Sequence, residues 1–194
     1  MRGLKAGFSH FTDEELMLAI RQGEKLAFNE LYQRYSGKLY GYILKMLWYN
    51  EVRAQDLLQD VFTKIITQPH LFDASRNFKT WVYTMASNLC KNEFKRNEVR
   101  KNTSNGLDSH YQISGSENVE DTVNDWESKA ALQEELAKLD EKHREVFVLK
   151  HVDGLSIKEI SEIVGINEGT VKSRLFYAIK KLAAELKMFE LVDR

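Results

Sequence analysis

Leu155-Ser-Ile-Lys-Glu-Ile-Ser-Glu-Ile-Val-Gly-Ile-Asn-Glu-Gly-Thr-Val-Lys-Ser-Arg-Leu175 holds two helix starts separated by a single stop. Ser156 and Glu159 make a capping box, in which hydroxyl and carboxylate each satisfy an orphan backbone amide of the first turn. Ile157, Ile160, Ile163 and Val164 then fall on one face until Gly165 ends the helix. Asn167 caps a second helix almost at once, and its Val171, Leu175, Ala178, Ile179 and Leu182 share a face. Two helices joined so tightly have to cross to bury both stripes, which is helix-turn-helix geometry. At about 100° per residue, Gly169, Ser173, Phe176 and Lys180 point away from that packed face, flanked by Lys172 and Tyr177. Lysine suits phosphates or guanine acceptors, serine reads donors or acceptors, and an exposed phenylalanine meets a thymine methyl in a major groove. The bland alternative is a solvated helical hairpin.

Upstream of this motif, helical periodicity reaches back to Ala130. Before that the chain changes character. Residues 102–128 carry six Asp or Glu and no Lys or Arg among many Asn, Ser and Gly, and show no apolar stripe, as a flexible linker does. Lys91 to Lys101 is the reverse, with five basic residues against Glu93 and Glu98. The formal net charge of −1 therefore conceals sorted patches, and it is low for a protein that binds DNA unaided, because phosphate neutralisation supplies most non-specific affinity.

The N-terminal part is read as helices throughout. Thr12 and Glu15 form another capping box. Leu26, Phe28, Leu31, Tyr32, Tyr35, Leu39, Tyr42, Ile43, Met46 and Leu47 then recur with a helical rhythm, eased at Ser36-Gly37. Asn50 caps a helix whose apolar face is Leu58, Val61, Phe62, Ile65 and Ile66 and which Pro69 stops. A last helix turns Phe78, Trp81, Val82, Met85, Ala86 and Leu89 inward. One proline and ten glycines leave little turn vocabulary for a sheet, and a 43% hydrophobic fraction over 194 residues suffices for two small cores. The expected fold is all-α: two small helical domains, 12–101 and 129–187, joined by a flexible acidic linker, 102–128.

Two exposed sets in the first domain carry chemistry. Asp56, Gln59 and Asp60 lie within one turn and form an acidic strip suited to a basic partner helix, although such a strip alone is more often plain solvated surface. Tyr83, Ser87, Asn88, Lys91, Asn92 and Lys95 are expected on the outer side of the last helix, offering stacking surface, amides and phosphate-directed charge suited to single-stranded nucleic acid. Trp81 reads as a core anchor, Cys90 as a small packing residue, and His143 and His151 as surface histidines too far apart to share a ligand. Phe72 either packs the loop 69–77 or faces a ligand.

These segments resemble one family. Leu155 to Gly165 with Glu168 to Leu175 is similar to the promoter-reading helix-turn-helix of sigma factors, whose second helix binds the minus-thirty-five element, and Leu139 to Phe147 resembles the helix before it. That tail alone also resembles response-regulator DNA-binding domains. Asp56-Leu-Leu-Gln-Asp-Val-Phe62 resembles the sigma-factor helix that docks on the clamp helices of the polymerase largest subunit. Phe78-Lys-Thr-Trp-Val-Tyr-Thr-Met-Ala-Ser-Asn88 with Lys91-Asn92 resembles the segment that melts the minus-ten element and holds it as a single strand. With no third helical domain between the two motifs, the chain is identified as resembling the extracytoplasmic-function group of the sigma-70 family.

The resemblance implies an alternative sigma factor with core RNA polymerase, promoter duplex, melted non-template strand and an anti-sigma factor as partners. It assigns core binding to Asp56, Gln59 and Asp60, and minus-ten binding to Lys64, Phe72, Tyr83, Asn88, Lys91 and Asn92, with the loop after Phe72 cradling an extruded base. Minus-thirty-five reading falls to Lys172, Ser173, Phe176, Tyr177 and Lys180. Tyr177 departs from the basic residue many members carry there. No catalytic residue, metal or cofactor is expected, since no nucleophile-base pair or metal-ligand spacing is present. Lacking a signal segment, an uninterrupted apolar span and a cysteine pair, the chain is expected in the cytoplasm, without membrane insertion. An autonomous helix-turn-helix regulator is the alternative, disfavoured because nothing suggests a ligand pocket or a dimerising heptad.

Overall fold

A computed structural model describes residues 7–103 and 132–192. After a 3₁₀ turn at Phe8–His10, the N-terminal helices are α1 (Asp13–Arg21), α2 (Lys25–Met46), α3 (Glu51–Thr67) and α4 (Phe78–Thr103). The C-terminal helices are α5 (132–138), α6 (Glu141–Phe147), α7 (Ile157–Val164) and α8 (Glu168–Val192). No strand occurs among the described residues. The fold is all-α, as expected. From residue 104 onward the expected linker lies outside the described residues, and its first two positions close α4.

The local signals formed the predicted ends. Thr12 accepts from the Glu15 amide while the Glu15 carboxylate accepts from that of Thr12, and Ser156 and Glu159 repeat the arrangement. Asn50 and Asn167 each cap the helix that follows by accepting an amide three residues on, and Asn77, not expected as a cap, does the same for α4. Gly165 ends α7 at φ +73°, a left-handed position that carries no Cβ penalty in glycine. The easing expected at Ser36-Gly37 is absent: α2 runs unbroken, because long-range packing outweighs the small helix cost of one glycine. It ends at Met46, and the turn that follows holds Trp48 and Tyr49, both left-handed, with φ +52° and +61°. Aromatic residues rarely sit there, so the surroundings must hold them. The Trp48 indole donates to the Ala137 carbonyl at 3.2 Å and the Arg144 guanidinium stacks on its ring at 4.3 Å.

Leu31, Leu39, Tyr42 and Ile43 of α2 pack with Leu57, Val61 and Ile65 of α3 and Phe78, Val82 and Ala86 of α4 in a buried core. That core does not stop at the N-terminal domain: Val146, Val148, Leu149, Leu155 and Ile160 continue the same apolar cluster. A smaller cluster of Leu136, Leu139, Ala178 and Leu182 binds α8 beneath α5 and α6. Four apolar residues assigned inward by periodicity are instead exposed, Leu26 at 62%, Tyr32 at 45%, Ile66 at 51% and Ile179 at 44%. Each flanks a buried stripe, and a step of 100° leaves such edge residues partly outside. Cys90 and Phe78 are fully buried, as read. Leu39 has no exposed surface, so Leu39→Ala should lower unfolding free energy by about 2–5 kcal/mol. A urea titration followed by far-ultraviolet circular dichroism checks this.

Candidate nucleic-acid interface

Three surfaces carry the expected residues. On α3, Asp56, Gln59 and Asp60 are all exposed. Asp56 is partly neutralised by Arg53, which donates to it at 3.1 Å and to Glu93 of α4 at 2.7 Å, tying the two helices together. Beside the strip runs an open groove of about 420 Å³ between α2 and α3, lined by Phe28, Tyr32, Leu58, Phe62 and Ile66 with Gln55 and Gln59 at its rim. Tyr32 is 45% exposed although periodicity assigned it inward. The groove was missed because a helical wheel marks which residues are apolar, not whether a neighbour covers them. An acidic strip flanked by uncovered apolar surface is suited to a helix that is basic on one side and apolar on the other.

On α8 the outward residues are where the sequence put them. Lys172, Ser173, Phe176, Tyr177 and Lys180 are all exposed, Phe176 at 62% and Tyr177 at 59%. The two rings meet edge to face with centroids 5.5 Å apart, and His143 approaches Tyr177 at 6.3 Å. Ser173 donates to the Thr170 carbonyl at 3.0 Å, which leaves its oxygen lone pairs outward as acceptors. The helix thus presents paired aromatic edges between lysines, a surface able to meet both base edges and phosphates.

The α4 surface departs from expectation. Lys64, Asn88 and Asn92 are exposed and Lys91 is half-buried. Phe72 and Tyr83 are each only 1% exposed. Phe72 packs between Phe78 at 5.6 Å and Trp81 at 5.1 Å, and Arg21 ties its carbonyl at 2.8 Å, so its ring seals the loop instead of facing outward to cradle a base. Tyr83 and Ser87, expected on the outer side, are covered by the C-terminal domain. The Tyr83 hydroxyl donates to Asp153 at 3.0 Å and its ring lies edge-on to Tyr42. Ser87 donates to Glu145, which also accepts from Tyr42 at 3.4 Å and pairs with Lys91 at 3.2 Å. One turn before Tyr83, Lys79 pairs with Glu159 at 2.9 Å.

The acids responsible come from three consecutive pieces of chain. Glu145 lies on α6, Asp153 follows the π-helical turn Val148–Val152 into which α6 runs, and Glu159 opens α7. The wide turn, closed by the Asp153 amide on the Val148 carbonyl at 3.1 Å, swings the chain back over α4. Burial pushes the Asp153 carboxyl up to about 6, against the opposing pull of the Tyr83 hydroxyl and Lys45. At Glu159 burial also acts upward, but the hydrogen bonds from Lys79 and Ser156 outweigh it and hold that carboxyl at about 2. Among the described residues no His, Cys, Asp and Glu group could hold a metal ion and no helix is long and apolar enough to cross a membrane.

Comparison with known proteins adds to this geometry. Residues 31–100 match the model for Sigma-70 region 2 and residues 129–182 that for Sigma-70, region 4. The chain is 31% identical over 175 residues to the ECF RNA polymerase sigma factor SigW of Bacillus subtilis, covering 87% of this chain and 93% of that one. It is 27% identical over 174 residues to the ECF RNA polymerase sigma-E factor of Haemophilus influenzae, covering 86% and 91%. Among solved structures, CnrH in complex with the cytosolic domain of CnrY superposes with a TM-score of 0.67 at 24% identity, over 91% of this chain and 97% of that one. RpoE of Bartonella quintana, in complex with the anti-sigma factor NepR, gives 0.66 at 22%, over 82% and 96%. Both share the fold.

The depressed Glu159 carboxyl fixes the sign of one pH effect. Its ion pair adds stability above the usual 4.5 and loses it as pH falls toward 2. Lys79→Met should therefore raise the Glu159 carboxyl from about 2 toward 4.5, read by nuclear magnetic resonance titration of its side-chain carbonyl.

Proposed function

We infer function from one premise: the chain belongs to the extracytoplasmic-function RNA polymerase sigma factors of the sigma-70 family. It is an alternative sigma factor that binds core RNA polymerase, recognises promoter elements and lets the enzyme initiate transcription. The alternative, an autonomous helix-turn-helix regulator, is not favoured.

The division of labour we propose has 12–101 binding polymerase and the minus-ten element, 129–187 reading the minus-thirty-five duplex, and 102–128 linking them. The observation that carries it is the exposed strip Asp56, Gln59 and Asp60 beside the apolar groove of α2 and α3. A basic, amphipathic polymerase helix would pair its charges with the strip and bury its apolar side in the groove. Lys64, Asn88 and Asn92 would hold the melted minus-ten strand with Lys91, while Lys172, Ser173, Phe176, Tyr177 and Lys180 would enter the major groove at minus thirty-five. In this scheme the chain makes and breaks no covalent bond. It acts in the cytoplasm, where polymerase is. An anti-sigma protein is a further partner, a reading supported by the complex with the anti-sigma factor NepR in which the structural relative RpoE was solved.

Two outcomes test the scheme. Asp60→Arg turns attraction into repulsion at a desolvated contact, which costs several kcal/mol, and should raise the concentration needed to compete for core polymerase at least tenfold with helicity unchanged. Equal competition by mutant and unaltered chain would refute the docking assignment. Asn88→Ala, which removes no core packing, should reduce permanganate reactivity of minus-ten thymines more than it reduces closed-complex retention.

A further inference from the structure

Lys79, Tyr83, Ser87 and Lys91 follow one another at four-residue intervals and so form one stripe along α4. Every member of the stripe donates, and every one is met by a carboxylate from the C-terminal domain: Lys79 by Glu159, Tyr83 by Asp153, Ser87 and Lys91 by Glu145. Cationic, phenolic and hydroxyl donors in a row are the groups that hold a nucleic-acid strand by its phosphates and base acceptors. Carboxylate oxygens are acceptors of the same kind and charge.

We propose that in the free chain the C-terminal domain is an internal mimic of the minus-ten strand, its three acids occupying the α4 donor stripe, so that single-stranded DNA is admitted only when this contact opens. The inference rests on the assignment of α4 as the minus-ten surface and adds its state in the unbound protein. Covering is selective. Tyr83 and Ser87 are buried and Lys91 is half-buried, whereas Lys172, Phe176, Tyr177 and Lys180 of α8 remain in solvent. The free chain therefore keeps its duplex-reading helix available and its strand-holding helix closed.

The contact is built to be reopened. The two ion pairs of the contact keep their lysines partly in solvent, and such screened pairs add little net stability. Here one member is incompletely satisfied: the Asp153 Oδ2 atom is buried and has no hydrogen-bond partner. Apolar contacts between Val148, Leu149, Leu155 and the N-terminal core oppose opening. A partner that spreads the two domains over its own surface supplies the difference, because it binds only the open state.

A zero-length carbodiimide tests closure on the unaltered full-length chain, since it joins only an amine and a carboxylate already in contact. It activates the Glu159 carboxyl, the Lys79 amine displaces the resulting urea, and an amide remains. Peptide mass spectrometry of the treated free chain should find Lys79 joined to Glu159 and Lys91 to Glu145, and both joints should vanish when core polymerase is bound. In a second arm, the triple variant Glu145→Gln, Asp153→Asn, Glu159→Gln removes the charges while keeping shape and the α7 capping box. Free and checked for helicity, it should bind a labelled random-sequence single strand on the order of tenfold more tightly than the unaltered chain, by fluorescence anisotropy. Absence of the joints in the free chain, their persistence on polymerase, or equal strand affinity in a helical triple variant would each overturn the proposal. Failure of the functional reading would look different: the unaltered chain would not bind core polymerase at all.

Discussion

A charge taken out of water has to meet its partner, and adjacent Arg144 and Glu145 on α6 impose that requirement in two directions at once. Arg144, 1% exposed, donates to the Met46 carbonyl at 3.1 Å and to the Leu139 carbonyl at 2.7 Å while stacking on Trp48. Glu145, 3% exposed, is held by Ser87, Tyr42 and Lys91. A slip of α6 by one residue in one direction would bring the guanidinium to the lysine, and in the other would bring the carboxylate to two carbonyls, so either slip leaves a buried charge uncompensated at a cost of several kcal/mol. The register of the C-terminal domain against α2 and α4 follows from this pair. The left-handed backbone at Trp48 and Tyr49 is part of the same constraint, because it turns the end of α2 so that the indole lies beneath Arg144.

What the sequence made legible was what a few neighbouring residues decide. Capping boxes at Thr12 and Ser156, asparagine caps, the Gly165 stop and the crossing of α7 on α8 depend on contacts within one or two turns, and all of them formed. Exposure of Phe176 and Tyr177 followed for the same reason, since the stripe that buries Val171, Leu175 and Ala178 leaves them no other direction. Tyr83 and Ser87 went the other way. The wheel of α4 correctly set them apart from Phe78 and Val82, but being outside the N-terminal core is not the same as being in solvent, and nothing local foretells which distant helix will land on a face. The groove at Phe28, Tyr32, Leu58 and Ile66 is the converse case, an apolar face on which no described element lands. In both cases spacing named the face and tertiary placement decided its cover. Tyr83, Ser87 and Lys91 were legible as part of an outer face of α4; the addition of Lys79 to that row, and the distant acids that face it, were not.

The near-zero net charge takes on a structural meaning once the pairings are seen. A protein that grips nucleic acid with a basic stripe would ordinarily carry an excess of positive charge, yet Lys79 and Lys91 face acids of the same chain and Arg53 is shared between Asp56 and Glu93. Such self-neutralisation lowers affinity for any polyanion, because each paired lysine can release a counterion from DNA only after giving up its carboxylate. Specificity then comes from differential affinity. A genome offers a vast excess of incorrect phosphates, and a free chain that bound them through α4 would be lost to them. With those donors engaged internally, competing DNA meets chiefly the short surface of α8, and the full set of contacts becomes available only where a second partner separates the domains. The modest charge of the sequence and the carboxylates over α4 are thus two aspects of one arrangement, in which electrostatic grip is withheld until the geometry for using it exists.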